Sequence, residues 1–179
     1  MVLDAAYRVW IECYEDKRRC LWLHGEASTG KSTWVDMFES IFVSSYLKLG
    51  TEKFQETDNK PRTQLVTMND VAPTRITCIE LASEMKNLLE GRGMSVNTKM
   101  GRKKLTFVGC YSLIASNNLP SKKIIKKERM EDACGNEKVD EWEPFERRCE
   151  FVKLNVPYNQ RDKAKFTKID VCRYWMSKC

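Results

Sequence analysis

Histidine is almost missing from this chain: one residue, His24, occurs among 179. The sequence consequently holds no His-x-His pair for a metal-dependent nicking nuclease, and a zinc site would have to be built from distant cysteines. Long apolar runs are missing as well, and the start at Met1 has neither a basic region nor an apolar core. We therefore expect no signal peptide, no membrane-spanning helix and no membrane partner.

Cysteine pairs of the C-x-x-C type are also missing, although the chain has eight cysteines. Scattered cysteines without a visible signal peptide favour reduced thiols in a cytosolic or nuclear protein over a disulfide framework.

Length and charge are those of one globular domain with a basic surface. A chain of this length can bury about 70% of the surface that it exposes when unfolded, so it needs no disulfides to fold. The 31 Lys and Arg residues exceed the 25 Asp and Glu residues and give a net charge of +6. This moderate excess favours a polyanionic partner.

Hydrophobic spacing predicts helices that alternate with strands. Apolar residues three and four apart predict helices over 4–16, from Ser32 to about Leu47, and over 78–91. Thr77 and Glu80 form a possible capping box at the start of the third helix, and a terminal helix is expected from Asp170. Short apolar runs predict strands over 20–23, 65–68, 111–115 and 151–156, with a hairpin over 95–108. The alternation predicts an α/β fold with a central, mainly parallel sheet. The stretch 122–146 has few apolar residues, so we expect it to form a long excursion on the surface.

The strongest motif is a complete G-x-x-x-x-G-K-[ST] that follows a predicted strand and opens a predicted helix. Its glycines let backbone N–H groups surround a phosphate, and the helix adds the positive end of its dipole. Lys31 is expected to reach the β- and γ-phosphates and Ser32 to bind Mg²⁺. The predicted nucleotide-binding residues are Gly25, Glu26, Ala27, Ser28, Thr29, Gly30, Lys31, Ser32 and Thr33.

Polar residues end the next two predicted strands. Asn69 and Asp70 follow one strand, where Asp70 would bind magnesium or orient the attacking water. Asn117 follows the other, where an amide can hydrogen-bond the γ-phosphate or that water. A simple polar turn remains an alternative at both places, because Asn and Asp favour turns.

This ordered set of motifs resembles the ATPase domain of superfamily 3 helicases, the motors of replication initiators from small DNA viruses. The family includes Rep-type proteins of circular single-stranded DNA viruses, parvovirus initiators and papillomavirus helicases. The similar stretch runs from about Leu21 to Val156 and contains motifs like Walker A (25–33), Walker B (65–70), B′ (95–104) and C (113–118). Asn117 matches the sensor asparagine of motif C. Asn69 departs from the family, which usually has two acids at the end of Walker B.

The resemblance implies a P-loop NTPase of modified AAA+ type that uses ATP and Mg²⁺. It further implies a homo-oligomeric ring, expected to be a hexamer, that moves 3′ to 5′ on single-stranded DNA. The B′ segment resembles the family's DNA-contacting hairpin, and its cations would track phosphates in the ring's pore. These DNA-binding residues are Lys99, Arg102, Lys103 and Lys104.

Arg147 and Arg148 fall where the family has an arginine that reaches the γ-phosphate of a neighbouring subunit. Arg148 is the preferred candidate for this contact, and Arg147 is the alternative. A surface salt bridge is the competing interpretation. A basic cluster within 122–129 could be a nuclear-import signal or a DNA-binding patch, although a solvated loop balanced by nearby acids is the favoured interpretation. If the chain is viral, as the resemblance implies, its location is the host nucleus, and otherwise the cytoplasm.

We expect the chain to divide into residues 1–18, a helix or linker to a missing upstream domain, and residues 19–179, the ATPase and helicase domain. Two other functions remain open. One is a different P-loop phosphotransferase such as a small kinase; a GTPase is disfavoured because no N-K-x-D string occurs. The other, encouraged by Asn69, is a nucleotide-binding oligomerisation module with weak or no hydrolysis.

Overall fold

The computed structural model describes residues 1–12, 18–49, 55–58, 62–71, 79–92, 94–98, 101–105, 109–119, 147–155 and 167–178. Several sequence predictions fall outside these ranges: Lys99, Thr77 of the predicted capping box, and the whole excursion over 122–146 with its basic cluster. Of the eight cysteines, Cys20, Cys110, Cys149 and Cys172 are free thiols.

Helices and strands alternate along the described chain. The helices are α1 (Val2–Tyr7), which continues into a π-helical turn (Arg8–Glu12), α2 (Lys31–Glu39), α3 (Ile79–Leu89) and α4 (Lys168–Met176). The strands are β1 (Cys20–His24), β2 (Ser44–Leu49), β3 (Gln55–Thr57), β4 (Leu65–Met68), β5 (Met94–Thr98), β6 (Gly101–Leu105), β7 (Tyr111–Ser116) and β8 (Cys149–Lys153).

The central sheet has the order β3-β2-β4-β7-β1-β8. Strands β2, β4, β7, β1 and β8 run parallel, and the short β3 adds an antiparallel edge. This confirms the predicted α/β fold with a mainly parallel sheet, an architecture compatible with a P-loop NTPase. Strands β5 and β6 form a separate antiparallel hairpin, as predicted, with Asn97 opposite Arg102.

Both faces of the sheet are covered, because alternate residues of each buried strand point to opposite sides. In β1, Leu21 and Leu23 face a cluster that includes Val35 and Phe38 of α2. Trp22 faces the other cluster, to which α3 contributes Met85, Leu88 and Leu89. The sheet therefore lies between α3 on one side and α2 with the terminal helices on the other.

The N-terminal helix belongs to this core. Ala6 and Trp10 are buried in the same cluster as α2 and the C-terminal α4. Trp175 of α4 donates its indole N–H to the Leu3 carbonyl at 3.4 Å, and Tyr174 donates its hydroxyl to Asp4. Within the described part of the chain, no helix is long and apolar enough to cross a membrane.

Some predicted boundaries are wrong, and the end of α2 is the largest error. The strand expected over 151–156 occupies Cys149–Lys153. The helix expected from Ser32 to about Leu47 ends at Glu39, and β2 occupies Ser44–Leu49. The chain leaves the helix where Ser40 hydrogen-bonds the Met37 carbonyl through its side chain at 2.6 Å. The prediction failed because Ile41 and Phe42 continue the helical spacing and pack against the same cluster, although they lie in the turn.

Candidate functional site

The glycine-rich loop spans the gap between β1 and α2, and its backbone requires glycine at both ends. Gly25 has a φ of 150°, and a Cβ there would lie 2.2 Å from the Leu154 carbonyl oxygen. Gly30 caps α2 in the left-handed region with a φ of 83°. Neither position accommodates an ordinary side chain without strain. The motif's strand-loop-helix context is thus present as the sequence predicted.

Lys31 directs its ammonium group into this loop and is only 7% exposed. It donates to the carbonyl oxygens of Gly25 at 2.8 Å and Glu26 at 2.6 Å, and to Thr29 Oγ1 at 3.3 Å. Burial lowers the pKa of Lys31 below its ordinary value of 10.5, while the negative charge of Asp70 opposes that shift. The Asp70 carboxylate is therefore close enough to Lys31 to influence its ionisation.

Asp70 lies at the carboxyl end of β4 together with Asn69, and both side chains are exposed. Asp70 adopts a φ of 52°, a left-handed conformation that aspartate tolerates better than most residues. The next N–H, of Val71, donates to the Ala115 carbonyl at 3.2 Å. That bond ties the acidic segment to the end of β7, where Asn117 is located.

Asn117 follows β7 and is exposed at the same edge of the sheet. The turn that presents it is held by Ser116, a fully buried residue. Ser116 Oγ accepts a hydrogen bond from Trp22 Nε1 at 2.8 Å and donates to the Asn118 carbonyl at 2.7 Å. Because Trp22 lies on β1, this contact links the strand before the loop to the strand that carries Asn117.

The carboxyl edge of the sheet therefore brings together the predicted phosphate, acid and sensor positions. In the register of the sheet, His24 lies beside Ser116 of β7 and Lys153 of β8. Burial, with the charges of Lys153 and Lys31, lowers the pKa of His24 below 6.5. The lowered pKa favours the neutral imidazole.

A cavity of 370 Å³ lies beside Asn69 and Asp70 and reaches α2 and β2. Glu39, at the end of α2, accepts a hydrogen bond from the buried Thr67 hydroxyl at 2.6 Å. The contact joins the helix that follows the loop to the strand that precedes Asp70. Sequence reasoning missed Glu39 and Thr67, because nothing in the local sequence marks a contact across 28 positions.

The available oxygen ligands suit magnesium. In the described part of the chain, no cluster of three or more His, Cys, Asp or Glu residues could bind a metal ion. Mg²⁺ commonly takes one or two protein ligands together with phosphates and water. Ser32, exposed in the first turn of α2, and Asp70 are the residues that could bind Mg²⁺ in this way, with phosphate oxygens completing the coordination.

Arg147 and Arg148 lie at the other edge of the sheet, immediately before β8. Arg148 is 16% exposed and forms an ion pair with Glu90 at the end of α3. Arg147 is exposed. These arginines are separated from the loop of their own chain by the length of β1, roughly 13 Å.

The predicted DNA-binding residues lie in or beside the hairpin. The backbones of Arg102, Lys103 and Lys104 belong to β6, opposite Asn97, Val96 and Ser95 respectively. Lys99 lies outside the described residues.

Comparison with models of known protein families finds no match for this chain, and comparison with curated proteins likewise finds none. The function is therefore inferred from the geometry of the site and from its motifs.

Proposed function

We propose that this chain is the ATP-hydrolysing motor of a DNA helicase of the superfamily 3 type, a P-loop NTPase of modified AAA+ class. The supporting observation is that Lys31, Asp70 and Asn117 all lie at the carboxyl edge of a parallel sheet. Lys31 follows the loop after β1, whereas Asp70 and Asn117 directly follow β4 and β7. Phosphate-binding, acidic and water-orienting side chains each have a role in ATP hydrolysis.

In this proposal the loop from Gly25 to Gly30 surrounds the phosphates with backbone N–H groups. Lys31 would exchange its loop carbonyl partners for the β- and γ-phosphate oxygens. Its ammonium would stabilise the negative charge that develops on the leaving ADP as water displaces it from the γ-phosphorus. Mg²⁺, bound through Ser32 and Asp70, would neutralise phosphate charge. Asp70 and Asn69 orient the attacking water, and Asn117 hydrogen-bonds the γ-phosphate.

The remaining catalytic charge would come from a neighbouring copy in a ring. Arg147 is better placed for this role than Arg148, because Arg148 is largely buried and paired with Glu90. Withdrawing Arg148 from that pair would leave a poorly solvated carboxylate, which is costly. The hairpin cations would bind the backbone of single-stranded DNA with little sequence preference.

A second candidate function is a nucleotide-binding assembly module that turns over slowly. The observation that favours it is Asn69, which provides an amide where a second carboxylate would add negative charge and proton-accepting capacity. Such a protein would bind ATP as tightly as the motor.

ATP turnover with and without single-stranded DNA tests the proposal. We expect slow hydrolysis that DNA stimulates, and loss of both ATP binding and turnover in Lys31→Ala. Lys99→Ala should weaken DNA binding while sparing ATP binding. Tight ATP binding without turnover would favour the assembly module, and phosphorylation of a small molecule would favour a kinase.

A further inference from the structure

The indole of Trp22 connects β1 to the end of the neighbouring strand. Trp22 lies in the middle of β1 and is fully buried. Its Nε1–H donates to Ser116 Oγ at 2.8 Å, and Ser116 is the last residue of β7 and equally buried. The indole also packs against Phe151 of β8, with the ring centroids 5.7 Å apart. Packing and hydrogen bonding together therefore fix the position of the N–H donor.

This contact sets the direction of the Ser116 hydroxyl. An indole N–H can only donate, so the serine oxygen must accept the bond with a lone pair. The single hydroxyl proton is then directed to the Asn118 carbonyl oxygen, 2.7 Å from Oγ. Trp22, Ser116 and Asn118 thus form two hydrogen bonds in series, which we call the relay. Because both side chains in it are inaccessible to solvent, bulk water would not replace a lost indole donor.

The relay closes around Asn117, which is exposed at the carboxyl edge of the sheet. Ser116 before it is buried, and Leu119 beyond it packs against the same core cluster as Trp22. The bond from Ser116 to Asn118 spans Asn117 directly, so it restricts the backbone that carries the amide side chain. A change in the relay would therefore alter the placement of Asn117 while leaving the glycine-rich loop intact.

We propose that Trp22 and Ser116 are positioning residues for ATP hydrolysis, which place Asn117 at the γ-phosphate through the relay. The inference rests on the proposed function, in which Asn117 hydrogen-bonds that phosphate. Both residues are buried and act only through Asn117. Their contribution is to the rate of the chemical step, because a small displacement of a group at the reacting centre lowers kcat more than it lowers binding of the whole nucleotide.

The test separates the rate of hydrolysis from nucleotide binding. Trp22→Phe keeps an aromatic ring in the core but deletes the N–H donor. In the full chain with Mg²⁺ and single-stranded DNA, it should lower kcat for ATP by about tenfold or more, the scale expected when a catalytic group is misplaced. Affinity for ADP should stay at the wild-type value, because ADP has no γ-phosphate for Asn117 to contact. An unchanged kcat, or an equal loss of kcat and ADP affinity, overturns the inference.

Two comparisons separate positioning from a loss of packing. Combining Trp22→Phe with Ser116→Ala should lower kcat no further than Ser116→Ala alone, because both changes break one relay. Effects that multiply would show that the two residues act separately, and the relay would be wrong. Ser112→Ala is the matched control, since it removes a fully buried hydroxyl of β7 that has no hydrogen-bond partner among the described residues. Its kcat should match the wild type, and a loss equal to that of Ser116→Ala would overturn the assignment.

A measurement on the unaltered protein covers the case in which Trp22→Phe does not fold. The indole N–H signal of Trp22 in the NMR spectrum should shift when Mg²⁺ and a non-hydrolysable ATP analogue are added, and should shift less with ADP. A signal that responds equally to both nucleotides overturns the inference and leaves the motor proposal standing. A wild-type chain that binds no nucleotide, or binds ATP without hydrolysing it, overturns the proposed function and this inference with it.

Discussion

Lys31 is a buried cation: burial disfavours the charge that phosphate binding under the proposed function needs. Its ammonium is held by the carbonyl oxygens of Gly25 and Glu26 in a loop that shields it from water. Burial lowers its pKa, and the carboxylate of Asp70 offsets part of that effect. A polyphosphate would supply negative charge at the same place, so binding would favour the protonated lysine.

The lowered pKa of Lys31 predicts that nucleotide binding weakens at alkaline pH. ATP affinity should fall as the pH rises through the lowered pKa of Lys31, below 10.5, because the phosphates lose their ammonium partner. Asp70→Asn should move the decline to lower pH by removing the charge that raises this pKa. Isothermal titration between pH 7 and pH 10 checks both; identical midpoints in the two proteins would contradict the assignment.

The lowered pKa of Lys31 makes the free energy of unfolding change with pH in the opposite direction to the ATP affinity. Between the folded and unfolded pKa values the unfolded chain binds the proton that the native chain has lost. The contribution of Lys31 to the free energy of unfolding therefore rises with pH in that window. A loss of ATP affinity there cannot be ascribed to unfolding caused by this residue.

Asn69 supports a prediction about rate. Asn69→Asp adds a carboxylate next to Asp70, and we expect it to raise kcat for ATP by about tenfold or more, since general bases typically contribute 10²–10⁴-fold. The affinity for ATP should change little. Asn118→Asp, an exposed change at the end of β7, is the control. A kcat that stays at the wild-type level would mean that Asp70 alone suffices.

Among the elements, β7 has the central position, because it lies between β1 with its loop and β4 with its acid. Ser116 uses its one hydroxyl to bind both the indole of Trp22 and the turn after the strand. The register of three strands thus sets the relative positions of Lys31, Asp70 and Asn117.

Removing this hydroxyl should cost stability. Ser116→Ala leaves the buried Trp22 N–H without its acceptor, and we expect the free energy of unfolding to fall by about 1–3 kcal/mol. Ser112→Ala in the same strand is the matched control: within the described residues its buried hydroxyl has no hydrogen-bond partner. Urea denaturation compares the two, and equal losses would show that Ser116 matters only by its volume.

The elements also show which features could be predicted from sequence. Strands β1, β4 and β7 were predicted because each is a short apolar run with a polar stop, and the hairpin was predicted from its turn. The end of α2 was not, since the apolar spacing continues through the turn after Glu39. The contacts that organise the site, such as Trp22 with Ser116 and Glu90 with Arg148, join residues 94 and 58 positions apart. No local pattern specifies such pairs, because they depend on tertiary packing.

At the scale of the whole molecule, the sheet separates two sets of groups. The carboxyl edge has the loop, Asp70 and Asn117, while the amino edge has Arg147 and Arg148. One copy therefore cannot place its own arginine on its own nucleotide without crossing the sheet. Under the proposed function, a head-to-tail arrangement, in which one edge faces the other edge of the next copy, would complete the site and would close into a ring if the rotation permits.

Mixing two inactive variants checks this arrangement. Arg147→Ala and Lys31→Ala should each lack ATP turnover, yet an equimolar mixture should recover activity at about one quarter of its interfaces, those that pair an intact loop with an intact arginine. A second mixture, with Arg148→Ala in place of Arg147→Ala, tests which of the two arginines acts on the neighbouring copy. A mixture as inactive as its components would argue against catalysis between copies.

The aromatic cluster gives the molecule an intrinsic optical reporter. Trp34 lies three residues after Lys31, with its ring stacked 6.0 Å from Phe38, and Phe38 in turn contacts Trp10 and Trp175. Indole emission responds to small changes in the surroundings of the ring. Ligand occupancy at the start of α2 should therefore be readable from the protein's own fluorescence, without a label.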